Sequence, residues 1–264
     1  MISVVITSCH DDKACYLTYW AARQQLGKNA DYVIVADCGT EIKWEKQPVT
    51  RCLRGTFGSP QSSRDVGIKA AICDNVLVLE SHVIVSDIQK LAFEHERLGG
   101  ALTFPIRVAE GSEQFDVYAH ETDWYGNLWY KRAVYQPVSD EPYRVAQFGN
   151  SCFMLDRRWY LESGGYTNLM KGWGGEEPFI CLKAWMLGRE CWQVPSVWHA
   201  HYLTAGAHAE GVNPRNFQIL KYVITGEGPV VSEAIAERQR ICSGPFQGDI
   251  KRLREHLRSV NAVC

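Results

Sequence analysis

Val76-Leu77-Val78-Leu79-Glu80-Ser81-His82 is the most apolar run of the amino-terminal half, and it stops abruptly at a carboxylate, a hydroxyl and an imidazole. An unbroken Val/Leu run without alternation fits a strand buried on both faces, as in a parallel sheet covered by helices. The same logic extends outward in both directions. Ile2-Ser3-Val4-Val5-Ile6 reads as a buried strand, followed by a helical segment with Leu17, Trp20 and Ala21 on one face. Residues 32–36 form a second run that ends in the polar turn Asp37-Cys38-Gly39-Thr40. A helix over 62–73, with Val66, Ala70 and Cys73 on one stripe, leads into the quoted strand. Beyond it, Ser86 with Gln89 has the spacing of a capping box, opening a helix whose buried face is Ile88, Leu91 and Ala92. Alternation of this kind predicts an α/β fold with a mostly parallel central sheet flanked by helices. Ligands gather at the carboxyl ends of such strands, where Thr7, Asp37 and Glu80 stand.

The second half has a different texture. Residues 105–147 are irregular and rich in Trp, Tyr and Phe, which predicts loops and a smaller antiparallel region. Residues 148–155 read as a strand and Asp156 as a helix cap. Gly172-Trp173-Gly174-Gly175 precedes a helical stretch, 176–187, that stops at Gly188. An apolar stretch, 192–198, runs into His199-Ala200-His201, Asn213-Pro214 starts another helix, and 249–258 is a short basic amphipathic helix. No repeat or linker separates the halves. The expectation is one continuous domain whose two halves, residues 1–100 and 101–264, share one sheet.

Composition narrows the classes. The chain has 264 residues, 46% hydrophobic and 22% charged, with 28 Lys plus Arg against 30 Asp plus Glu. That balance supplies no global basic field for nucleic acid. No apolar window is long enough for a membrane span and no basic-flanked leader is present, so the sequence predicts no transmembrane segment and a cytoplasmic location. The cysteines are scattered without a C-x-x-C pair, as expected of reduced, mostly buried thiols rather than a zinc site.

The G-x-G-x-x-G, G-x-x-x-x-G-K-[ST] and G-x-S-x-G motifs are all missing, which removes the simplest dinucleotide, NTPase and serine hydrolase readings. Three clusters remain. Glu80 and His82, at the mouth of a buried strand, face one crevice if the chain stays extended and suit two ligands of Mn²⁺, or of Mg²⁺ with more water. The blander reading leaves both solvated at a strand end. In Gly172-Trp173-Gly174-Gly175-Glu176-Glu177, glycines permit close backbone approach around one Trp, a surface suited to a sugar. Both carboxylates fall in a first helical turn, where the dipole favours their ionised forms. The third cluster is His199 and His201, either of which can complete a metal site.

These residues resemble the GT-A fold nucleotide-sugar glycosyltransferases. The run ending Glu80-Ser81-His82 is similar to the D-x-D or D-x-H metal motif, closest to the D-S-H form of the polypeptide N-acetylgalactosaminyltransferases. Phe148-Gly149, then Ser163-Gly164-Gly165-Tyr166, then Gly172-Trp173-Gly174-Gly175-Glu176-Glu177 resembles the carboxy-terminal region of the β-1,4-galactosyltransferases, with their G-W-G-G-E-D. The resemblance implies a UDP-sugar donor met by Thr7, Asp37, Arg64, Trp173, Gly174 and Gly175. It also implies Mn²⁺ (or Mg²⁺) held by Glu80, His82 and His201, with His199 as the alternative. Glu176 would bind hydroxyls and Glu177 would be the base. Glu80 and Glu177 each replace an Asp of the motifs, and retaining relatives share W-G-G-E, so both anomeric outcomes stay open. Residues 204–213 are placed as a lid. The resemblance implies that residues 1–100 bind the nucleotide-sugar and residues 101–264 bind the acceptor and carry catalysis. The acceptor is open among a glycan, a lipid-linked or protein hydroxyl, and a hydroxymethylated DNA base that Lys131, Arg132, Lys251, Arg252 and Arg254 would reach. A non-catalytic sugar- or nucleotide-binding protein is the alternative from another class.

Overall fold

The computed structural model describes residues 1–9, 12–37, 51–54, 60–108, 115–116, 140–145, 152–166, 168–172, 174–202, 213–226 and 232–243. The chain opens with β1 (Ile2–Cys9), α1 (Asp12–Leu26), β2 (Asp31–Asp37), β3 (Arg51–Arg54) and α2 (Pro60–Ala70). It continues through β4 (Asn75–Glu80), β5 (Val83–Val85), α3 (Ile88–Arg97) and β6 (Leu102–Val108). Next come β7 (Phe115–Asp116), β8 (Tyr143–Arg144), β9 (Cys152–Asp156) and α4 (Arg157–Glu162). The last described elements are α5 (Glu176–Met186), β10 (Cys191–His201), α6 (Pro214–Thr225) and α7 (Ser232–Ser243).

One sheet joins them in the order β3-β2-β1-β4-β9-β6-β10-β5, with β7 beside β6 and β8 beside β10. Parallel pairing links β3, β2, β1 and β4, and again β6 and β10, while β9 runs against both β4 and β6. β1, β2, β3, β4, β6 and β10 therefore point one way, and their carboxyl ends share one rim. Thr7 stands directly opposite Glu80 in that register, and Cys9 opposite Asp37. β5 turns back antiparallel along the end of β10, pairing Val83 with His201.

Both sheet faces are covered, which is why the strands are mainly apolar on both sides. Val4, Ile6, Ile34, Leu77 and Leu79 pack under α1 and α3, while Val5, Val33, Val35, Val76 and Val78 pack on the opposite face with residues of α2, α4 and α5. Gly67 of α2 lies so close to the sheet that a Cβ there would be 2.2 Å from Val5 Cγ1 and 3.0 Å from Val35 Cγ2. Gly67→Ala is thus expected to cost about 1–3 kcal/mol of stability by overpacking. Urea denaturation checks this, and an unchanged midpoint would contradict it.

The structure corrects three local expectations. On α1 the buried residues are Cys15, Thr18, Tyr19 and Ala22, whereas Leu17 and Trp20 are exposed. This face packs on the sheet, with Tyr19 meeting Tyr32 edge-on at 5.2 Å and Thr18 bonding to Ser81 O. On α2 the deepest side carries Arg64, Gly67 and Ile68, while Val66 and Ala70 of the expected stripe pack against the core only partly buried and the helix ends at Ala70, before the buried Cys73. The α3 cap is Asp87, whose carboxylate accepts from Lys90 N, because Ser86 is committed to backbone and hydroxyl bonds with Trp198 of β10. Asp156 and Asn213 do cap α4 and α6, and Ile88, Leu91 and Ala92 are buried, as expected. Cys15, Cys73, Cys152, Cys181 and Cys191 are buried free thiols. No helix among the described residues is long and apolar enough to cross a membrane.

Candidate active site

The rim formed by the ends of β1, β4 and β10 collects the polar groups. Ser81 and His82 form a turn, not the extended segment expected, and the turn is tight because β5 must start at once to pair with β10. That reversal brings the rings of His82 and His201 together. Their Nε2 atoms are 3.0 Å apart, and Glu80 Oε2 is 3.2 Å from His201 Nε2 and 3.3 Å from His82 Nε2. Adjacent ligands of an octahedral cation with bonds of about 2.0–2.2 Å are separated by about 3 Å, so the three atoms match one face of such a coordination shell. Among the described residues Glu80, His82 and His201 form the group of potential ligands; His199 is not in it. His199 is fully buried in β10, opposite Val85 and Arg107.

Behind the triad lies Arg64, whose side chain is 1% exposed. Its Nη2 donates to Glu80 Oε1 at 2.8 Å and its Nη1 to Glu177 Oε1 at 2.9 Å. One guanidinium thereby ties the end of β4 to the first turn of α5. Burial alone would raise the Glu80 carboxyl, but bonds from His201 and His82 and the charge of Arg64 hold it well below the usual carboxylate range. Glu177 is driven upward by burial, against the pull of Arg64.

Glu176 departs from the dipole expectation. Complete burial and the neighbouring Glu177 push its carboxyl up to about 8, and neither oxygen has a partner. A carboxyl protonated in the fold but ionised in the unfolded chain removes stability as pH rises between the two values, here from about 4.5 to about 8. Glu176→Gln imitates the protonated form. Its melting temperature should match the parent near pH 5 and exceed it near pH 8.5, and a pH-independent difference would contradict the protonated assignment.

Gly172, Gly174 and Gly175 all adopt positive φ, at 68°, 104° and 89°, so the turn into α5 requires glycine at these positions. Asn216, buried on α6, clamps this turn. Its Oδ1 accepts from Lys171 N at 3.0 Å, and its Nδ2 donates to Lys171 O and Gly174 O at 3.0 and 2.8 Å. Sequence reasoning missed Asn216, although a polar residue in the buried 216, 219, 220, 223 stripe was a usable signal. It also missed that Arg64 is shared by Glu80 and Glu177. Thr7 is buried on the rim and Asp37 ends β2. Trp173, Lys131, Arg132, Lys251, Arg252, Arg254 and the helix at 249–258 lie outside the described residues, as do all but Asn213 of the expected lid and Phe148-Gly149.

No protein-family model matches the chain. It is 27% identical over 147 residues to polypeptide N-acetylgalactosaminyltransferase 10 of Mus musculus, covering 50% of this chain and 24% of that protein. It is also 27% identical over 172 residues to polypeptide N-acetylgalactosaminyltransferase 8 of Drosophila melanogaster, covering 60% and 27%. The chain spans about a quarter of the length of the curated relatives it matches. Among solved structures, GalNAc-T7 with UDP, GalNAc and Mn²⁺ superimposes with a TM-score of 0.69 at 18% identity, over 99% of this chain and 54% of that one. S. aureus TarS 1-349 in complex with UDP-GlcNAc gives 0.60 at 13% identity, over 92% and 72%. The chain thus has the GT-A fold and is similar in sequence to the polypeptide N-acetylgalactosaminyltransferases.

Proposed function

We propose that the chain is a metal-dependent glycosyltransferase that moves a sugar from a UDP-sugar to an acceptor hydroxyl. The observation that carries this reading is the convergence of Glu80, His82 and His201 on the strand-end rim, joined through Arg64 to Glu177. Two imidazoles and a carboxylate suit Mn²⁺ better than Mg²⁺. When bound there, the ion supplies positive charge against the negative charge that builds on the departing diphosphate.

The chain's own residues do the rest. Glu177 takes the proton of the acceptor hydroxyl, its carboxylate oriented by Arg64. Glu176, with two unpartnered oxygens, bonds to a hydroxyl of donor or acceptor. Thr7 and Asp37 meet the nucleoside, and Gly174 and Gly175 let Trp173 and the backbone approach the sugar and shield it from water. In this reading residues 1–100 serve the nucleotide-sugar and residues 101–264 the acceptor and catalysis. The solved neighbours hold UDP-GlcNAc or UDP with GalNAc, so UDP-N-acetylhexosamines head the donor series, and polypeptide hydroxyls head the acceptor series because the sequence relatives are polypeptide transferases.

The test is UDP release from a panel of UDP-sugars with Mn²⁺, Mg²⁺ or EDTA, comparing the parent with Glu80→Ala. Release from one donor that needs metal and disappears in Glu80→Ala is the expected result. Absence of both release and metal-dependent binding for every UDP-sugar would overturn the reading in favour of another nucleotide donor or a binding protein.

A further inference from the structure

We propose that Thr18, on α1 and outside the ligand set, is a positioning residue for the metal site; this rests on Glu80, His82 and His201 being the Mn²⁺ ligands. Thr18 is 1% exposed. Its hydroxyl donates to Ser81 O at 2.8 Å and accepts from Val83 N at 3.2 Å. Those two groups belong to the peptide units immediately before and after His82. A single hydroxyl, able to donate and accept at once, therefore pins the backbone on both sides of the proposed ligand. The carbonyl of His82 itself accepts from Tyr202 N at 2.9 Å, which ties the same residue to the chain just beyond His201.

The effect on the ring follows from this bracing. With both flanking peptides and its own carbonyl bonded, His82 keeps only its side-chain torsions free, and Ser81 Oγ lies 3.4 Å from its Nδ1 while Nε2 faces the triad. Outer partners that aim a ligating imidazole typically influence metal affinity about 10–100-fold. Gln25 offers an internal comparison, because it braces the other end of β5 in the same way. Its side chain donates to Val85 O at 2.7 Å and accepts from Ile88 N at 2.8 Å, without touching His82. If Thr18 merely fastened α1 to the sheet edge, losing either brace would have the same consequences.

The experiment measures Mn²⁺ affinity by water-proton relaxation in the presence of saturating UDP, with Glu80→Ala as the blank, alongside thermal melts. Thr18→Val keeps the shape and loses the hydroxyl; it is expected to weaken Mn²⁺ about tenfold or more, while Thr18→Ser stays within about threefold of the parent. Gln25→Leu is expected to lower the melting temperature by a comparable amount with unchanged Mn²⁺ affinity. Equal affinity in Thr18→Val and parent, or an equal loss in Gln25→Leu, would overturn the positioning role while leaving the metal site standing. A parent that binds no more Mn²⁺ than Glu80→Ala would bring down the metal site and this role with it. If Thr18→Val does not fold, Thr18→Ala is measured in its place against the same thresholds.

Discussion

Replacing Arg64 with Leu is expected to lower stability by about 3–5 kcal/mol near pH 8, because the change leaves Glu80 and Glu177 below the rim without their shared cation. The parent Glu80 titrates below its unfolded value, so its contribution is present above about pH 4.5 and is lost as pH falls through the folded value. In the variant Glu177, already raised by burial, rises further, and Glu80 keeps its bonds from His201 and His82 but loses the pull of Arg64. The folded variant thus holds protons to higher pH than the parent and loses stability relative to it as pH increases. Its deficit against the parent is therefore largest near pH 8 and shrinks toward pH 5. Urea denaturation at the two pH values checks this. Adding Glu177→Leu to Arg64→Leu should recover much of the loss, because it removes one uncompensated charge. A deficit that is small, or equal at both pH values, would mean that Arg64 acts chiefly through packing against Phe153, whose ring centre is 6.0 Å from its Cζ.

The parallel half of the fold was legible because a strand buried on both faces is apolar nearly throughout: 32–36 and 76–79 carry no charged residue and no Ser or Thr, and 2–6 is broken only by Ser3, whose hydroxyl bonds to Asp31. Rotation of the helices was harder to read. α1 offers apolar residues on more than one face, and contacts with the sheet select among them: Tyr19 meets Tyr32 edge-on, and Thr18 bonds to the backbone of Ser81 and Val83. The triad was legible in composition but not in geometry. Glu80 and His82 were expected to meet on an extended strand, whereas they meet across a turn that β5 forces by pairing Val83 with His201. The resemblance leaves His201 with His199 as the alternative, and the fold separates them by setting His199 deep in the sheet between β5 and β6. Asn216 works through partners more than forty positions away at the Gly172 turn, and Arg64 joins Glu80, 16 positions on, to Glu177, 113 positions on in the first turn of α5; no local pattern encodes such contacts. Only a polar residue in an otherwise buried stripe marks them.

Glu177→Gln carries the largest expected effect on activity. Gln keeps a carbonyl oxygen for Arg64 Nη1 and nearly the same volume, so α5 should remain in place. What it loses is the capacity to take a proton. If Glu177 is the base, kcat for transfer should fall about 10²–10⁴-fold with donor KM changed less than about threefold, as for loss of a general base whose site is otherwise intact. The parent's acid limb, set by ionisation of a carboxyl that burial raises and Arg64 lowers, should vanish from the variant's residual rate. Determining the product anomer by NMR in the same reactions sharpens the outcome, because base removal of the acceptor proton belongs with direct displacement and inversion. A variant that keeps kcat within about fivefold and a product of retained configuration would assign the proton to another acceptor. Glu177 would then be a carboxylate that positions Arg64, and through it Glu80, rather than one that carries the chemistry.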